Sequence, residues 1–255
     1  MRSEEGSDHF MLQTLNSLFG CQNIHSIDAS IDCYFPGPMP RLKEVILSCM
    51  RLEVLRLHLP RDEDGYLPPS RTLSVQFDLY VKPNEKLPPL KELTIDSRIT
   101  HDNNKISLIP KSFWNWSQIR HLELRGQGMS RFLNSIQGHI SYLETLVVEH
   151  FCSTLAYNGG ANRVLEDFVV SIHGLQSLKL TNNTRQIRIS TLAVHGNTLE
   201  RLTVLHPRRP VSPGLSSKAC PYTPKDLDEL RESCPRLISL ALDMEVRSHL
   251  VSFCN

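Results

Sequence analysis

The chain has 255 residues, 40% hydrophobic and 22% charged, with Lys+Arg 28 against Asp+Glu 27 for a formal net charge of +1. At about 150 residues per domain this is one large domain or two small ones, and the composition argues against wholesale disorder and against a collagen-like chain. No surplus of cations is present to neutralise phosphates, which disfavours a generic nucleic-acid binder, and no apolar run approaches the roughly 18 residues of a membrane span.

The start, MRSEEGSDHF, is acidic and polar where a secretory signal is basic and then apolar. Residues 1–9 are expected to be disordered, and a cytoplasmic or nuclear location follows. Cys 7 is an odd count with no CxxC pair, so reduced, buried thiols are expected rather than a disulfide framework or a structural zinc site.

From residue 24 onward one phrase recurs: apolar, two variable, apolar, one variable, apolar. It reads Ile24-His-Ser-Ile27-Asp-Ala29, Leu52-Glu-Val-Leu55-Arg-Leu57, Leu90-Lys-Glu-Leu93-Thr-Ile95 and Ile119-Arg-His-Leu122-Glu-Leu124. It continues as Leu143-Glu-Thr-Leu146-Val-Val148, Leu175-Gln-Ser-Leu178-Lys-Leu180, Leu199-Glu-Arg-Leu202-Thr-Val204 and Leu237-Ile-Ser-Leu240-Ala-Leu242. Successive phrases begin 28, 38, 29, 24, 32, 24 and 38 residues apart. Four of these intervals match the roughly 20–29 residues of a leucine-rich repeat, and the others require insertions. The second and third apolar positions are two apart, so they share one face of a short strand, and stacking such strands in parallel buries them while the alternate residues line a shared concave face.

The intervals carry the return segments. Leu133, Ile136 and Ile140 recur at helical spacing, with Ser130 placed as N-cap, and Val164, Leu165, Phe168, Val169 and Ile172 make a wider stripe. Thr223-Pro224-Lys225-Asp226 has the capping hydroxyl, the N1 proline and the following acid of a helix start, with Leu227, Leu230 and Cys234 inward and Pro235 as the stop. Residues 71–81 alternate as a longer strand after an acidic loop, and residues 206–222 are Pro- and Ser-rich and read as a mobile insertion. The fold class expected is α/β, a leucine-rich-repeat solenoid or horseshoe with a parallel concave sheet and irregular convex helices. Residues 10–255 form its single domain of about eight repeats.

The phrases Leu47-Ser48-Cys49-Met50-Arg51-Leu52-Glu53-Val54-Leu55-Arg56-Leu57 and Glu232-Ser233-Cys234-Pro235-Arg236-Leu237-Ile238-Ser239-Leu240-Ala241-Leu242 resemble the "xxCPxLxxLxL" unit of F-box leucine-rich-repeat proteins. Val194-His195-Gly196-Asn197-Thr198-Leu199-Glu200-Arg201-Leu202-Thr203-Val204 is similar to a "HGxTLxxLxL" phrase of fungal members. The resemblance covers about residues 10–245 and implies that Cys49 and Cys234 are small buried residues at helix ends. It also implies a substrate-recognition region. The F-box that would dock on a cullin-ligase adaptor has no counterpart here, since Met39–Leu47 runs straight into a repeat and reads as a convex-side helix. Ubiquitin-ligase activity therefore does not carry over.

Candidate chemistry is sparse. His150 and Cys152 follow the Leu143 phrase and could form a thiol nucleophile and base, without any family signature. There is no HExxH motif or EF-hand spacing, and His195 and His206 lack a partnering Cys pair, so they read as plain polar residues. Arg125-Gly126-Gln127-Gly128 lacks the third glycine of a phosphate loop and reads as a repeat turn. The sequons at Asn115 and Asn182 read as chance in a chain without a signal segment. His206–Pro213 could be a polyproline ligand, a basic address or a phosphosite at Ser212, and is taken as a solvated loop. Trp114 and Trp116 could anchor a partner or pack in the core or at its rim.

The outward positions of the phrases remain: Ser26, Asp28, Arg56, His58, Thr94, Asp96, Glu123, Arg125, Val147, Glu149, Lys179, Thr181, Thr203, Leu205, Ala241 and Asp243. Acids and bases are interspersed, which points to a protein partner held by mixed polar contacts, with Arg56, His58, Asp96, Glu123, Arg125, Glu149, Lys179, Thr181, Thr203 and Asp243 as the binding residues. The function expected is a non-catalytic, monomeric protein-interaction module without cofactor or metal. One alternative is a cullin-ligase receptor whose F-box is lost or lies outside the chain, and another is a thiol enzyme using Cys152 and His150.

Overall fold

Eight strands lie side by side in chain order in this computed structural model, which describes residues 13–30, 38–59, 85, 87–97, 115–126, 129–149, 160–181, 186–205 and 222–242. They are β1 (Ser26–Ser30), β2 (Val54–Leu59), β3 (Glu92–Ser97), β4 (His121–Gly126), β5 (Thr145–Glu149), β6 (Ser177–Thr181), β7 (Arg201–Leu205) and β8 (Ser239–Leu242). Every neighbouring pair is parallel, so the fold is α/β with an open, all-parallel sheet. Each of the eight recurring phrases contributes one strand.

The register keeps the phrases in step. Ile27, Leu55, Leu93, Leu122, Leu146, Leu178, Leu202 and Leu240 align across the sheet, and Ala29, Leu57, Ile95, Leu124, Val148, Leu180, Val204 and Leu242 form a second row. From Leu55 to Leu202 the first row is at most 1% exposed, whereas Leu240 at the sheet's end is 48% exposed. A parallel sheet covered on both faces carries continuous apolar strands. Here β4, β5 and β6 alternate buried with partly exposed residues, so one face packs and the other meets solvent.

A single carbonyl per repeat ties each strand to the next. The oxygens of His25, Glu53, Lys91, Arg120, Glu144, Gln176 and Glu200 each accept two successive N–H groups of the following repeat, at 2.7–3.1 Å. The join stays the same although the intervening segments differ in length.

The packed face is covered by the return segments. They comprise α1 (Pro38–Ser48), a 3-10 turn at Trp116–Gln118, α2 (Met129–Ile136), α3 (Gly160–Ser171), α4 (Ile189–Ala193) and α5 (Pro224–Ser233). Leu42, Val45, Ile46 and Cys49 recur at helical spacing and are 0% exposed; Phe132, Leu133, Leu165, Phe168, Leu192 and Leu230 join them in one continuous cluster with the strand leucines. Thr223 and Asp226 form the capping box of α5: Thr223 Oγ1 accepts from Asp226 N at 3.2 Å while Thr223 N donates to Asp226 Oδ2 at 2.7 Å. Cys49 follows α1 directly and Cys234 caps α5, both buried, and burial pushes both thiols above their usual range.

Several expectations change. Ser130 is not an N-cap, because α2 begins at Met129. Trp116 is 2% exposed and meets Phe132 edge-on at 6.1 Å between ring centroids, so it belongs to the core and cannot anchor a partner. Tyr222, read as the end of a mobile insertion, is 4% exposed and donates its hydroxyl to the Ile187 carbonyl at 3.1 Å. Gly126, the last residue of β4, has φ 112°, a conformation that favours glycine, and the rest of the turn expected there lies outside the described residues. The strand expected at 71–81 and the rest of the 206–222 insertion lie outside the described residues, as do residues 1–9.

His195 is also a core residue rather than a surface one. It is 3% exposed, and its Nε2 lies 2.9 Å from the Val169 carbonyl, which can only accept, so Nε2 carries the proton. Beside it Gly196 is fixed by contact, because a Cβ there would sit 1.9 Å from the Ser233 carbonyl oxygen. Burial is the main cause that lowers the His195 pKa, with the nearby His173 adding to it and the Val169 hydrogen bond opposing it.

Two outcomes follow. Leu122→Ala should destabilise the fold by roughly 2–5 kcal/mol, against about 1 kcal/mol or less for Leu240→Ala, as read by urea denaturation. The folded state holds His195 neutral while the unfolded chain protonates it below its ordinary value, so stability should fall as pH drops from about 7 to 5. Thermal melts of His195→Gln should show a shallower dependence over that window; an unchanged slope would refute the assignment.

Candidate partner-binding face

The outward side chains form three rows across the sheet. The central one runs Asp28, Arg56, Thr94, Glu123, Val147, Lys179, Thr203, Ala241; a flanking one runs Ser30, His58, Asp96, Arg125, Glu149, Thr181, Leu205. The third begins at Ser26 and Val54 and passes through Glu92, His121, Thr145 and Ser177 to Arg201. The expected binding residues Arg56, His58, Asp96, Glu123, Arg125, Glu149, Lys179, Thr181 and Thr203 therefore do share one face. Asp243, His150, Cys152, Trp114 and His206 lie outside the described residues.

In the first five strands the charges are joined to one another. Arg56 donates through Nε (2.8 Å) and Nη2 (2.7 Å) to Glu92 Oε1 and lies 4.0 Å from Asp28. His58 bridges Asp28 at 3.1 Å and Asp96 at 3.9 Å. Arg125 meets Glu123 at 2.6 Å on its own strand and Glu149 at 3.6 Å on the next. Thr94, only 3% exposed, reaches Glu123 with its hydroxyl at 3.5 Å, so it is a floor of the face rather than a contact residue.

Glu123 is the centre of this network. The His121 ring 3.9 Å away and the Arg125 guanidinium bring its pKa down to about 2 against the opposing effect of burial. Of the two, Arg125 makes the closer contact, at 2.6 Å. The carboxylate is 17% exposed, so the screening that makes surface pairs nearly worthless is reduced here.

Sequence reasoning placed these residues on one face but missed the pairing, because the partners, such as His58 and Asp96, are up to 38 residues apart across segments of unequal length. It also missed Glu166, a carboxylate 8% exposed on α3. Glu166 accepts from the Arg188 backbone N–H at 3.0 Å and from Arg188 Nε at 2.8 Å, fastening α3 to the start of α4. No group of three metal-ligating side chains occurs among the described residues, and none of their helices is long and apolar enough to cross a membrane.

The chain matches no family model, no curated protein and no solved structure.

Glu123 supplies a test of the network. Its folded pKa lies below the unfolded one, so its contribution is present above about pH 4.5 and is lost as pH falls toward 2. Thermal melts recorded between those limits should fall less steeply with acid for Glu123→Gln than for the wild type, and Arg125→Glu should lower the melting temperature at neutral pH.

Proposed function

We propose that this chain is a non-catalytic protein-recognition module of leucine-rich-repeat type, a horseshoe-like solenoid whose concave sheet holds the partner. It is similar in this to the substrate-recognition part of F-box proteins. The observation that carries the reading is the in-register outward face, on which half-exposed polar side chains stand on a sheet whose opposite face is packed. Such a surface is rigid, and it presents side chains at fixed lateral spacing of about 4.8 Å between strands. Mixed charge at fixed spacing favours selection among protein partners by complementarity.

The pairing within the first strands guides the choice of variants. Reversing Arg125 would leave Glu123 facing a new carboxylate and perturb the fold, so loss of a partner on Arg125→Glu would not isolate recognition. Steric blocks on the face do. Thr181→Trp and Thr203→Trp, made separately, should each leave the circular-dichroism melt within a few degrees of the wild type, while at least one abolishes capture of the partners found by proximity labelling and pull-down. If both keep every partner, the sheet face is not the binding surface.

A further inference from the structure

The outward face is electrically divided along the strand order. In its three rows, β1 to β5 carry the carboxylates of Asp28, Glu92, Asp96, Glu123 and Glu149 against the guanidiniums of Arg56 and Arg125. In β6 and β7 the only charges are the cations Lys179 and Arg201, both exposed. Neither makes a salt bridge or side-chain hydrogen bond among the described residues, and the nearest outward carboxylate, Glu149, is engaged by Arg125 at 3.6 Å. Val147 is the register partner of Lys179 on one side and Thr203 on the other, with Leu205 two residues beyond, all half-buried.

We propose that this β6–β7 half docks an acidic segment of a partner protein, one with an aliphatic side chain beside its carboxylates. The inference rests on the protein-binding reading above and adds the partner's chemistry and placement. Lys179 and Arg201 lie on adjacent parallel strands two residues out of register, a diagonal separation of about 8 Å between their Cα atoms. A carboxylate meeting either cation forms a charge-assisted hydrogen bond that displaces no existing pair. Across β1 to β5 an incoming carboxylate would instead compete with acids that already hold the arginines, and the acid surplus there would repel it. That repulsion confines the segment to one half of the face. Val147, the neighbour of Lys179 on β5, and Leu205, further along the strand of Arg201, supply apolar contact beside the charges.

The experiment uses the full chain on an array of short peptides in which paired Asp or Glu residues stand next to Leu or Val at varied spacing, alongside matched peptides carrying Asn and Gln. The acidic set should be retained and its binding should weaken as salt is raised. The Lys179→Glu/Arg201→Glu variant should lose about tenfold or more of it, and Arg163→Glu, at an exposed helix position, should lose none. Equal binding of the amide peptides, equal binding by the double variant, or no retained acidic peptide overturns the proposal. If the double variant also keeps a native partner that Thr203→Trp loses, the recognition reading stands and only the acidic segment falls.

Discussion

The doubly accepting carbonyl between repeats is the constraint on which the rest of the structure depends. Each of seven oxygens, from His25 to Glu200, receives two consecutive N–H groups from the repeat that follows. A parallel strand pair could slide by one residue and turn its whole side-chain set over. The paired acceptance at the entry to each strand pins the first residue, and the leucine rows then make any slip prohibitive, because every apolar side chain would move to the wet face. The sheet thus converts a one-dimensional phrase into a two-dimensional grid, and the insertions between phrases leave that grid unaltered.

This explains what could be read in advance and what could not. The alternation within a six-residue phrase is local, so the strands, the packed leucines and the membership of the outward face were all legible. So was α5, because Thr223, Pro224 and Asp226 act within one turn. Long-range partners carry no such mark. Glu166 and Arg188 are 22 residues apart, and Val169 and His195 are 26 apart. His195 precedes Leu199 by four residues, where Cys49 and Cys234 precede Leu52 and Leu237 by three. Buried places next to a helix end, one residue apart in the repeat frame, are thus filled once by an imidazole, which needs an acceptor, and twice by thiols, which do not. A polar letter in the sequence was read as a surface residue; its bond to a backbone carbonyl makes it a core residue.

Trp116 illustrates the same limit from the apolar side. An exposed indole is a good anchor for a partner and a buried one is a good wedge, and nothing in SFWNWSQ distinguishes them. Its position three residues before Ile119 does, once the repeat frame is applied. Cys49, Ile140, Ile172 and Cys234 occupy the corresponding place before their own phrases, and all four are buried. Before the first phrase the same place holds Cys21, which is exposed, so the frame predicts burial only inside the stack.

The grid also determines what the charges can do. Interspersed signs along the sequence suggest a uniformly mixed face, but lateral register decides which charges meet. Arg56 finds Glu92 and Arg125 finds both Glu123 and Glu149, and each such pair is withdrawn from recognition because a partner would have to break it. Charges that stabilise the sheet and charges available to a ligand are therefore different sets, although one rule places both. Half of the face spends its polarity on itself and gains order, whereas Lys179 and Arg201 hold no salt bridge among the described residues. On a surface built by repetition, charges are left open to a proposed partner where the repeat stops pairing with itself.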